Sequence, residues 1–588
     1  MNSPRPKKSQ SSNSKAQQKT SQNELFPIVG IGASAGGLEA FTQLLSHLPI
    51  NTGMGFVLIQ HLSPEQKSIL AEILSKTTEM PVTQVQNGMV VEPNHVYVIP
   101  PNAMMTIAEG KLNLSPRQKI RGQVMSVDTF FFSLAQERGS KAIGVVLSGG
   151  DGDGARGLEA IKAAGGITFA QSETSAQVSS MPNTAVASGQ VDFVLTPEAI
   201  AQELANLSDH PYIRPSNHAT SIEIQPTEEN AVSQIFSLLK VATGVDFNLY
   251  KQTTLKRRIL RRMILYKLER LEDYTSYLQE HPAEVTALYY DVLITVTSFF
   301  RDPEAFEALK TKVFPQITKE QNSDIPVRIW VVGCSTGEEA YSIAICLLEY
   351  LQNQGIHKPI QLFATDINEI AIEKARLGIY QHNQLIDVSP ERLQRFFMPV
   401  EGGYQISKPV REVCVFARQN LISDPPFSHL DLITCRNVLI YLSAAIQKKL
   451  LPLFHYGLQP NGFLMLGTSE TVGEFSSLFT LIDRKYKIYS RKMAVTRLGL
   501  DLISSNYSIE TFNQLLPTSD RSWNEVEIEK VADRIVLDQY APVGVIIDGD
   551  LEILQFRGQT NPYLQLPLGR PSFNLLRIAR EELRIELR

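Results

Sequence analysis

Twice in this chain, a short run of apolar and β-branched residues ends in a glycine-rich turn that opens directly into an amphipathic stretch. The first instance reads FPIVGIGASAGGLEAF from Phe26, and the second reads RIWVVGCSTGEEAYSIA from Arg328. A buried strand that turns sharply into a helix is the repeating unit of parallel α/β sheets. The chain is therefore expected to hold two α/β domains, which 588 residues accommodate at about 150 residues per domain.

The segments around these two turns divide the chain further. Residues 26–207 alternate strand-like runs with helical spacing, which predicts a mostly parallel sheet with strands at FPIVGIG, GFVLIQH, HVYVIP, AIGVVLS, GGITFAQ and VDFVL. The other predicted segments are a solvated tail (1–25), a polar linker (208–227), an all-helical part (228–300), a second α/β block that closes in an antiparallel hairpin (301–492), a connector (493–531) and a mixed strand-and-turn segment (532–588).

Composition excludes several classes of protein. The net charge is −5, so a protein built to coat nucleic acid is not expected. No apolar run reaches the roughly 18 residues of a spanning helix, and the basic tail lacks the apolar centre of a secretory signal. The 4 cysteines form no CxxC pair, which fits a reducing cytosol and gives no zinc-site spacing. We expect a cytoplasmic protein without membrane insertion or a bound metal, and a chain that is a fragment of a longer protein.

The first glycine turn allows two chemistries. As Gly-x-Gly-x-x-Ala from Gly30, it could hold a dinucleotide pyrophosphate, but that function also needs an acid after the second strand. The second strand ends instead in Gln60 and His61. As Gly32-x-Ser34-x-Gly36, the same residues form a nucleophile turn that projects a serine hydroxyl beside helix N-terminal amides.

A serine nucleophile needs a base and a group that orients the base. His61 ends the second strand, and Asp151 and Asp153 follow the strand AIGVVLS in a glycine-rich turn. Parallel strands deliver their carboxyl ends to one edge, so these side chains can converge as a triad. Alone, His61 could be a satisfied strand-end histidine and the Asp-Gly pairs could be plain turns. The three together favour catalysis.

The motifs GIGASAGG, IQHLSP, HVYVIPPN, VVLSGGDGDGARGLEAIKAAGG and MPNTAVASGQVDFVL occur in an order that closely resembles the catalytic domain of chemotaxis protein-glutamate methylesterases. The resemblance covers residues 26 to about 205. It implies that Ser34 is the nucleophile, His61 the general base and Asp153 the acid that orients the base. In the family's last motif, this chain has Gly150 in place of a methionine whose backbone helps form the oxyanion pocket, and Asp151 in place of a glycine.

The second glycine turn places Glu338 and Glu339 at the start of a helix, where they would repel a pyrophosphate. A ligand with a cationic group, such as S-adenosylmethionine, suits the site better. The next strand ends at Asp366, where a ribose diol could be held. A plain Rossmann-like domain with structural acids is the alternative.

Further motifs resemble chemotaxis receptor glutamate O-methyltransferases across residues 228–492: VTSFFRDPEAF, GCSTGEEAYS, ATDINEIAIEKARLGIY, VFARQNL, LITCRNVLIYL and LMLGTSE. The resemblance implies a class I methyltransferase domain with S-adenosylmethionine as cofactor, a small all-helical domain that contacts the receptor, and a cofactor site formed by Thr295, Thr297, Arg301, Glu339, Asp366, Asn420, Leu421, Arg436 and Asn437. Thr295 stands where many members have asparagine.

Two other features bear on partners. The helix LKRRILRRMILYK carries basic residues from Lys256 to Lys267; it could be a solvated amphipathic face, an RNA contact or, by the resemblance, a contact for the acidic segment of a receptor. The segment APVGVIIDGDLEILQFRGQTNPYLQLPLG resembles the start of a PAS-type sensor region, as in fused methylesterase–methyltransferase proteins. A downstream kinase is an expected partner of this C-terminal region.

These observations predict an α/β multidomain protein with two opposed activities. One would methylate glutamates of a methyl-accepting chemoreceptor or similar sensory protein, and the other would hydrolyse the resulting esters, with receptor glutamine deamidation as a related reaction. The alternatives are a signalling scaffold with one or both sites inactive, and a small-molecule O-methyltransferase joined to an unrelated hydrolase.

Overall fold

The computed structural model describes residues 25–61, 69–117, 124–213, 229–319 and 325–492, together with the short stretches 544–547, 551, 553–557, 574–580 and 583. The predicted tail, most of the linker and the connector lie outside these residues. The chain divides into two compact units, Met1–Thr496 and Arg497–Arg588. In the described residues, no helix is long and apolar enough to cross a membrane.

The N-terminal part of the first unit is built on a seven-stranded, fully parallel sheet. Its strands are β1 (Ile28–Ala33), β2 (Gly55–Gln60), β3 (Val82–Gln84), β5 (Val96–Val98), β8 (Ala142–Val146), β9 (Ile167–Gln171) and β10 (Phe193–Leu195). Their order is β10-β9-β8-β1-β2-β5-β3. All six strands predicted in this part are confirmed. The central strands β1, β2 and β8 are buried on both faces, as their continuous apolar runs predict.

Helices cover both faces of this sheet and form two apolar cores with it. They are α1 (Gly37–His47), α2 (Leu70–Leu74), α3 (Ser126–Arg138), α4 (Ala155–Ala163), α5 (Ser180–Ala187) and α6 (Pro197–Ser208). A small antiparallel sheet, unforeseen in the sequence, consists of β4 (Met89–Val90), β6 (Ala103–Ala108) and β7 (Lys111–Pro116) in the order β4-β7-β6.

The predicted all-helical part is confirmed and has its own apolar core. It contains α7 (Glu229–Thr243), α8 (Gln252–Leu265), α9 (Leu271–Glu280) and α10 (Pro282–Val292). Ile264 of α8 packs into the core of the preceding sheet domain. The helical part is therefore joined to that domain by buried apolar contact as well as by chain connection.

The second α/β part has seven strands in the order β16-β12-β11-β17-β18-β20-β19. They are β11 (Val327–Val332), β12 (Ile360–Asp366), β16 (Cys414–Arg418), β17 (Leu430–Cys435), β18 (Leu458–Leu466), β19 (Phe479–Asp483) and β20 (Ile488–Arg491). The last two strands form the predicted antiparallel hairpin.

Seven helices and a second small sheet complete this part. The helices are α11 (Pro303–Ala308), α12 (Phe314–Ile317), α13 (Glu338–Gln354), α14 (Glu369–Leu377), α15 (Pro390–Phe396), α16 (Lys408–Glu412) and α17 (Ala444–Gly457), with a π-helical turn at Leu309–Val313. The small antiparallel sheet contains β13 (Ile379–Tyr380), β14 (Phe397–Val400) and β15 (Gly403–Ile406).

In the second unit, the described residues form an antiparallel hairpin of β21 (Gly544–Ile547) and β22 (Ile553–Arg557), and a short helix α18 (Leu575–Ile578). Ile553, Leu575 and Ile578 share a small buried cluster. The predicted terminal charged helix falls largely outside the described residues.

Two candidate active sites

The predicted triad residues follow three adjacent strands of the first sheet. Ser34 comes directly after β1, His61 after β2 and Asp153 after β8, and β1 pairs with both other strands. The carboxyl ends of parallel strands meet at one edge of a sheet. That edge rule, available from the sequence, is what brings these three residues together.

The turn at Ser34 depends on Gly36. Gly36 has φ of +76° and caps the N-terminus of α1, and a Cβ there would lie 2.6 Å from the Ser148 hydroxyl. A residue with a side chain would be strained by its backbone and would also clash. The Ser34 amide donates to the Ser148 carbonyl at 2.9 Å, which ties the turn to the loop after β8.

His61 is held by two carboxylates. Its Nε2 lies 2.9 Å from Asp153 Oδ2 and its Nδ1 lies 3.0 Å from Asp151 Oδ2. Burial opposes a charged ring, but the hydrogen bonds to Asp151 and Asp153 outweigh it and raise the pKa of His61 to about 9. In the described part of the chain, no hydrogen bond joins His61 to the Ser34 hydroxyl. The imidazole is therefore protonated at neutral pH and turned to carboxylates on both sides.

Asp153 is anchored at the N-terminus of α3. It is fully buried, and its two oxygens accept the backbone N–H groups of Val127 and Asp128, each at 2.8 Å. A carboxylate is stabilised at this end of a helix by the unsatisfied amides and the dipole. The Asp128 carboxyl accepts from Gly154 N–H and Gly157 N–H. Burial, followed by the nearby charge of Asp153, raises the pKa of Asp128 to about 8.

Asp128 was not anticipated from the sequence. It lies in an ordinary helical stretch, and only the fold places it against the loop that carries Asp153.

The loop after β8 lies where an oxyanion pocket is expected. The Ser148 hydroxyl donates to the Ala35 carbonyl at 2.7 Å and accepts the Val178 amide at 2.9 Å, so the loop is fixed to the serine turn. Gly150 is exposed, and a Cβ added there would meet only Val178, at 3.9 Å. The missing family methionine therefore leaves open space at this rim.

A cavity of about 680 Å³ lies at the corresponding edge of the second sheet. It brings together seven of the nine residues expected to bind S-adenosylmethionine: Thr297, Arg301, Glu339, Asp366, Leu421, Arg436 and Asn437. Thr295 lines a neighbouring cleft, and its carbonyl accepts the Ser335 hydroxyl at 2.9 Å. Asn420 does not line the cavity; its side chain accepts the Ile422 amide in a local turn.

The polar groups of this cavity fit a ligand that carries both a cation and a diol. Glu339 Oε2 pairs with Arg436 at 3.3 Å, whereas Glu339 Oε1 is buried with no hydrogen-bond partner among the described residues. An unpaired buried carboxylate oxygen is costly unless a ligand donates to it. Asp366 accepts backbone N–H groups from Ser335 and Asn368 at 2.9 and 2.8 Å, which leaves lone pairs for ribose hydroxyls. Burial raises the pKa of Asp366.

Backbone strain is concentrated around this cavity. Phe300, Asp302, Ser335 and Asn437 all have φ between +49° and +62°. Such conformations cost non-glycine residues free energy and cluster at functional sites. Asn437 is held by Glu470, whose carboxylate accepts the Asn437 amide at 3.0 Å. Glu470 lies within the LMLGTSE motif, but its supporting role could not be derived from the sequence.

Two sequence expectations about charge need correction. Glu338 does not face the cofactor cavity with Glu339; it lines the neighbouring cleft, accepts the Thr336 hydroxyl at 2.7 Å, and burial raises its pKa to about 7. The basic helix α8 is not a uniformly solvated or outward-facing surface. Arg258 and Arg261 are only 2% and 1% exposed, because both are directed into the first sheet domain.

Comparison with known proteins gives three family matches. A protein-family model described as CheB methylesterase matches residues 29–204. The model of the CheR methyltransferase all-alpha domain matches residues 230–293, and that of the CheR methyltransferase SAM binding domain matches residues 295–488.

Individual relatives agree with these matches. The chemotaxis protein methyltransferase of Escherichia coli K12 is 32% identical over 279 residues, 45% of this chain and 93% of that protein. An uncharacterized 104.1 kDa protein of Rhodobacter capsulatus is 32% identical over 536 residues, 87% of this chain, and the chain spans 56% of its length. The CheB methylesterase catalytic domain of Thermotoga maritima, a solved structure, is 30% identical over 31% of this chain and 98% of that domain, with a TM-score of 0.30.

Proposed function

Because the chain belongs to the chemotaxis protein methyltransferase family and carries a CheB-type methylesterase domain ahead of that region, we propose that it both methylates and demethylates glutamate side chains of a sensory receptor. The methyltransferase part uses S-adenosylmethionine as donor. The methylesterase part hydrolyses the product esters, with deamidation of receptor glutamine as a related reaction.

The residues that would hold S-adenosylmethionine divide by chemistry. Asp366 would accept hydrogen bonds from the ribose hydroxyls, Glu339 would accept them from the amino group, and Arg301 would bind the carboxylate of the methionine end. Three further residues line the pocket: Thr297, Leu421 and Asn437. When bound, the cofactor supplies an electrophilic methyl group on a sulfonium. The acceptor glutamate is already ionised at neutral pH, so positioning and exclusion of water supply most of the catalysis.

The methylesterase step needs His61 as a neutral base. Because Asp153 keeps Nε2, the base is Nδ1, which must exchange Asp151 for the Ser34 hydroxyl. The Ser34 hydroxyl attacks the ester carbonyl while His61 takes its proton, and methanol leaves with that proton. Water then attacks the acyl-serine with its proton passing to His61, and glutamate is released as Ser34 is restored. Asp153 keeps the ring oriented through its hydrogen bond to Nε2.

The observation that carries the methyltransferase proposal is the unpaired Glu339 Oε1 in the same cavity as Asp366. Calorimetric titration with S-adenosylhomocysteine, the demethylated product, tests it directly. Glu339→Gln should weaken binding, whereas Glu369→Gln, an exposed acid on α14, should not. Absence of binding to the unaltered protein would refute the methyltransferase assignment.

A second candidate function has support in one half of the molecule only. The double carboxylate clamp on His61 and the glycine at position 150 both favour a methylesterase domain that acts as a scaffold. Release of labelled methanol from a methylated receptor fragment distinguishes the two functions. Release that is absent at every pH between 6 and 10 supports the scaffold.

We also propose a methyl-accepting chemoreceptor or similar receptor as partner and the cytoplasm as location. The exposed Arg257 and half-buried Lys256 remain available on α8 for an acidic receptor segment. The four cysteines, all free, suit a reducing compartment. The kinase expected at the C-terminal region stays a prediction.

A further inference from the structure

The all-helical part is fastened to the methylesterase domain by two buried arginines. Arg258 of α8 donates to the carbonyls of Lys162 and Ala163, and Arg261 donates to the Gly166 carbonyl at 2.9 Å. These carbonyls lie at and just after the C-terminus of α4, where orphaned acceptors and the helix dipole favour a cation. The two arginines thus act as an intramolecular cap for a helix of the other domain.

Arg261 also links acids from both sides. Its guanidinium pairs with Asp192 of the methylesterase domain and with Asp291 of α10. Both carboxylates are about as buried as the arginine, at 4% and 5% exposure of their side chains. Each of the two buried acids stabilises the buried cation, so removal of either one weakens the contact between the domains. The Lys267–Glu203 pair extends this interface, and the Arg156–Asp387 pair joins α4 to the second α/β part.

This interface places methylesterase residues in the wall of the methyl-transfer cavity. Besides the expected cofactor-binding residues, the cavity is lined by Phe132, Ala135 and Gln136 of α3, by Ala160 and Ala163 of α4, and by Ala164. The neighbouring cleft of about 650 Å³ is bounded by Arg156, Glu159 and Lys162 of α4. Both openings beside the predicted methyl donor are therefore bounded by the methylesterase domain.

A protein acceptor has to bring its backbone close to the methyl donor. A helical acceptor segment is about 10 Å wide with its side chains, and α3 and α4 already line the cavity that it would have to reach. A glutamate side chain is short, so its backbone would have to lie at the rim where α3 and α4 lie.

The geometry points to an autoinhibitory arrangement, and we propose that the methylesterase domain covers the acceptor side of the methyl-transfer cavity. Methylation of a receptor then requires the two domains to separate, with release of the arginines from the end of α4. Helix α4 follows the loop that carries Asp153 and ends at this cavity, so the proposed cover is directly connected to the methylesterase acid. The inference rests on the proposed methyltransferase function.

A reversible cross-link tests the arrangement. A Cβ added to Gly152 would lie 3.8 Å from Asn383 Cβ of the methyltransferase part, which is the separation typical of a disulfide, about 3.8 Å. The double variant Gly152→Cys/Asn383→Cys can be closed with diamide and reopened with dithiothreitol. Three of the native cysteines are buried and Cys414 is half-buried, so each single variant under the same treatment is the matched control.

The readouts are transfer of labelled methyl to a receptor fragment and calorimetric binding of S-adenosylhomocysteine. We expect the oxidised double variant to lose methyl transfer at least tenfold while it keeps product binding, and reduction to restore the rate. Equal rates before and after oxidation would overturn the inference, as would failure of the bond to form. If the reduced variant and the unaltered protein transfer no methyl at all and bind no product, the proposed methyltransferase function itself is refuted.

Discussion

The two candidate sites occupy the same place in two parallel sheets but differ in how their key polar groups are satisfied. At the second sheet, Glu339 has one buried oxygen with no hydrogen-bond partner among the described residues. Such an oxygen is expected in a site where the bound ligand supplies the missing donor. At the first sheet, His61 has both ring nitrogens engaged by carboxylates. Two sheets with parallel strands therefore hold two different sites. One site has a polar group available for its ligand, and in the other the base His61 is hydrogen-bonded to carboxylates on both ring nitrogens. The difference arises from a single residue, Asp151.

The largest effect is expected for removal of the proposed nucleophile. Ser34→Ala should lower methanol release from a methylated receptor fragment by at least about 1,000-fold, because the acyl intermediate is proposed to form on the Ser34 oxygen. The assay is best run near pH 9, where a larger fraction of His61 is neutral. Ser46→Ala, an exposed serine on α1, is the matched control. Unchanged methanol release in Ser34→Ala would refute the proposed triad, and the first sheet would then carry no methylesterase site of this kind.

Removal of the ribose-binding charge should come next. Asp366→Asn should weaken binding of S-adenosylhomocysteine by about 10- to 100-fold, which corresponds to the roughly 1.5–3 kcal/mol of hydrogen bonds to a charged group. Titration calorimetry measures the change, and methanol release from the ester should stay unaltered in this variant. An unchanged dissociation constant would mean that the second site is not held open for this ligand.

The third prediction concerns Asp151, the residue that occupies the second ring nitrogen of His61. Asp151→Gly removes one of the two carboxylates that hold the pKa of His61 near 9, so the pKa of the base should fall toward the ordinary histidine value of about 6.5. A base works only when neutral, so the rising limb of the pH profile should move to lower pH. The neutral fraction at pH 7, about 1% at a pKa of 9, would then rise by about tenfold or more.

The measurement is the pH dependence of methanol release between pH 5 and 10. We expect an increase of about tenfold or more at pH 7 and little change at pH 10. Asp151→Asn keeps an oxygen acceptor without the charge and should give a smaller shift. A pH profile that does not move would show that Asp151 leaves His61 during catalysis. The contact between Asp151 and His61 would then have no effect on the rate of methanol release.

The sequence was sufficient for whatever depends on strand ends. Buried β-branched runs predict parallel strands, and the carboxyl ends of such strands share one edge of a sheet. This rule correctly places Ser34, His61 and Asp153 at one edge, and Asp366 and Asn437 in one cavity. The sequence was insufficient to predict which of several nearby groups a side chain contacts. Asp151 and Asp153 are two residues apart in one loop, and only the folded loop shows that they grip His61 from opposite nitrogens.

Contacts between domains were equally hidden. Helix α8 has regular basic and apolar spacing, and nothing in that spacing distinguishes the buried Arg258 and Arg261 from the exposed Arg257. The distinction comes from the carbonyls at the end of α4, a helix about 100 residues earlier in the chain. A helix terminus that needs a cap can thus recruit arginines from another domain, and the sequence of neither element reveals it.

The smallest effect is expected for a partial weakening of that interface. Asp192→Asn leaves Arg261 paired with Asp291 but removes one charge across the domain boundary. If the docked arrangement withholds the methyltransferase site from receptor, a loss of about 1 kcal/mol in docking should raise the initial rate of receptor methylation about fivefold. Binding of S-adenosylhomocysteine should not change, because Asp192 does not line the cofactor cavity.

Glu198→Gln, a half-buried acid at the start of α6, is the control for a charge change on the same domain. A methylation rate that falls in Asp192→Asn, with product binding intact, would mean that the docked interface supports methyl transfer. The two sites would then differ in the opposite sense: the methylesterase domain would complete the methyltransferase site, while its own base stays held by Asp151.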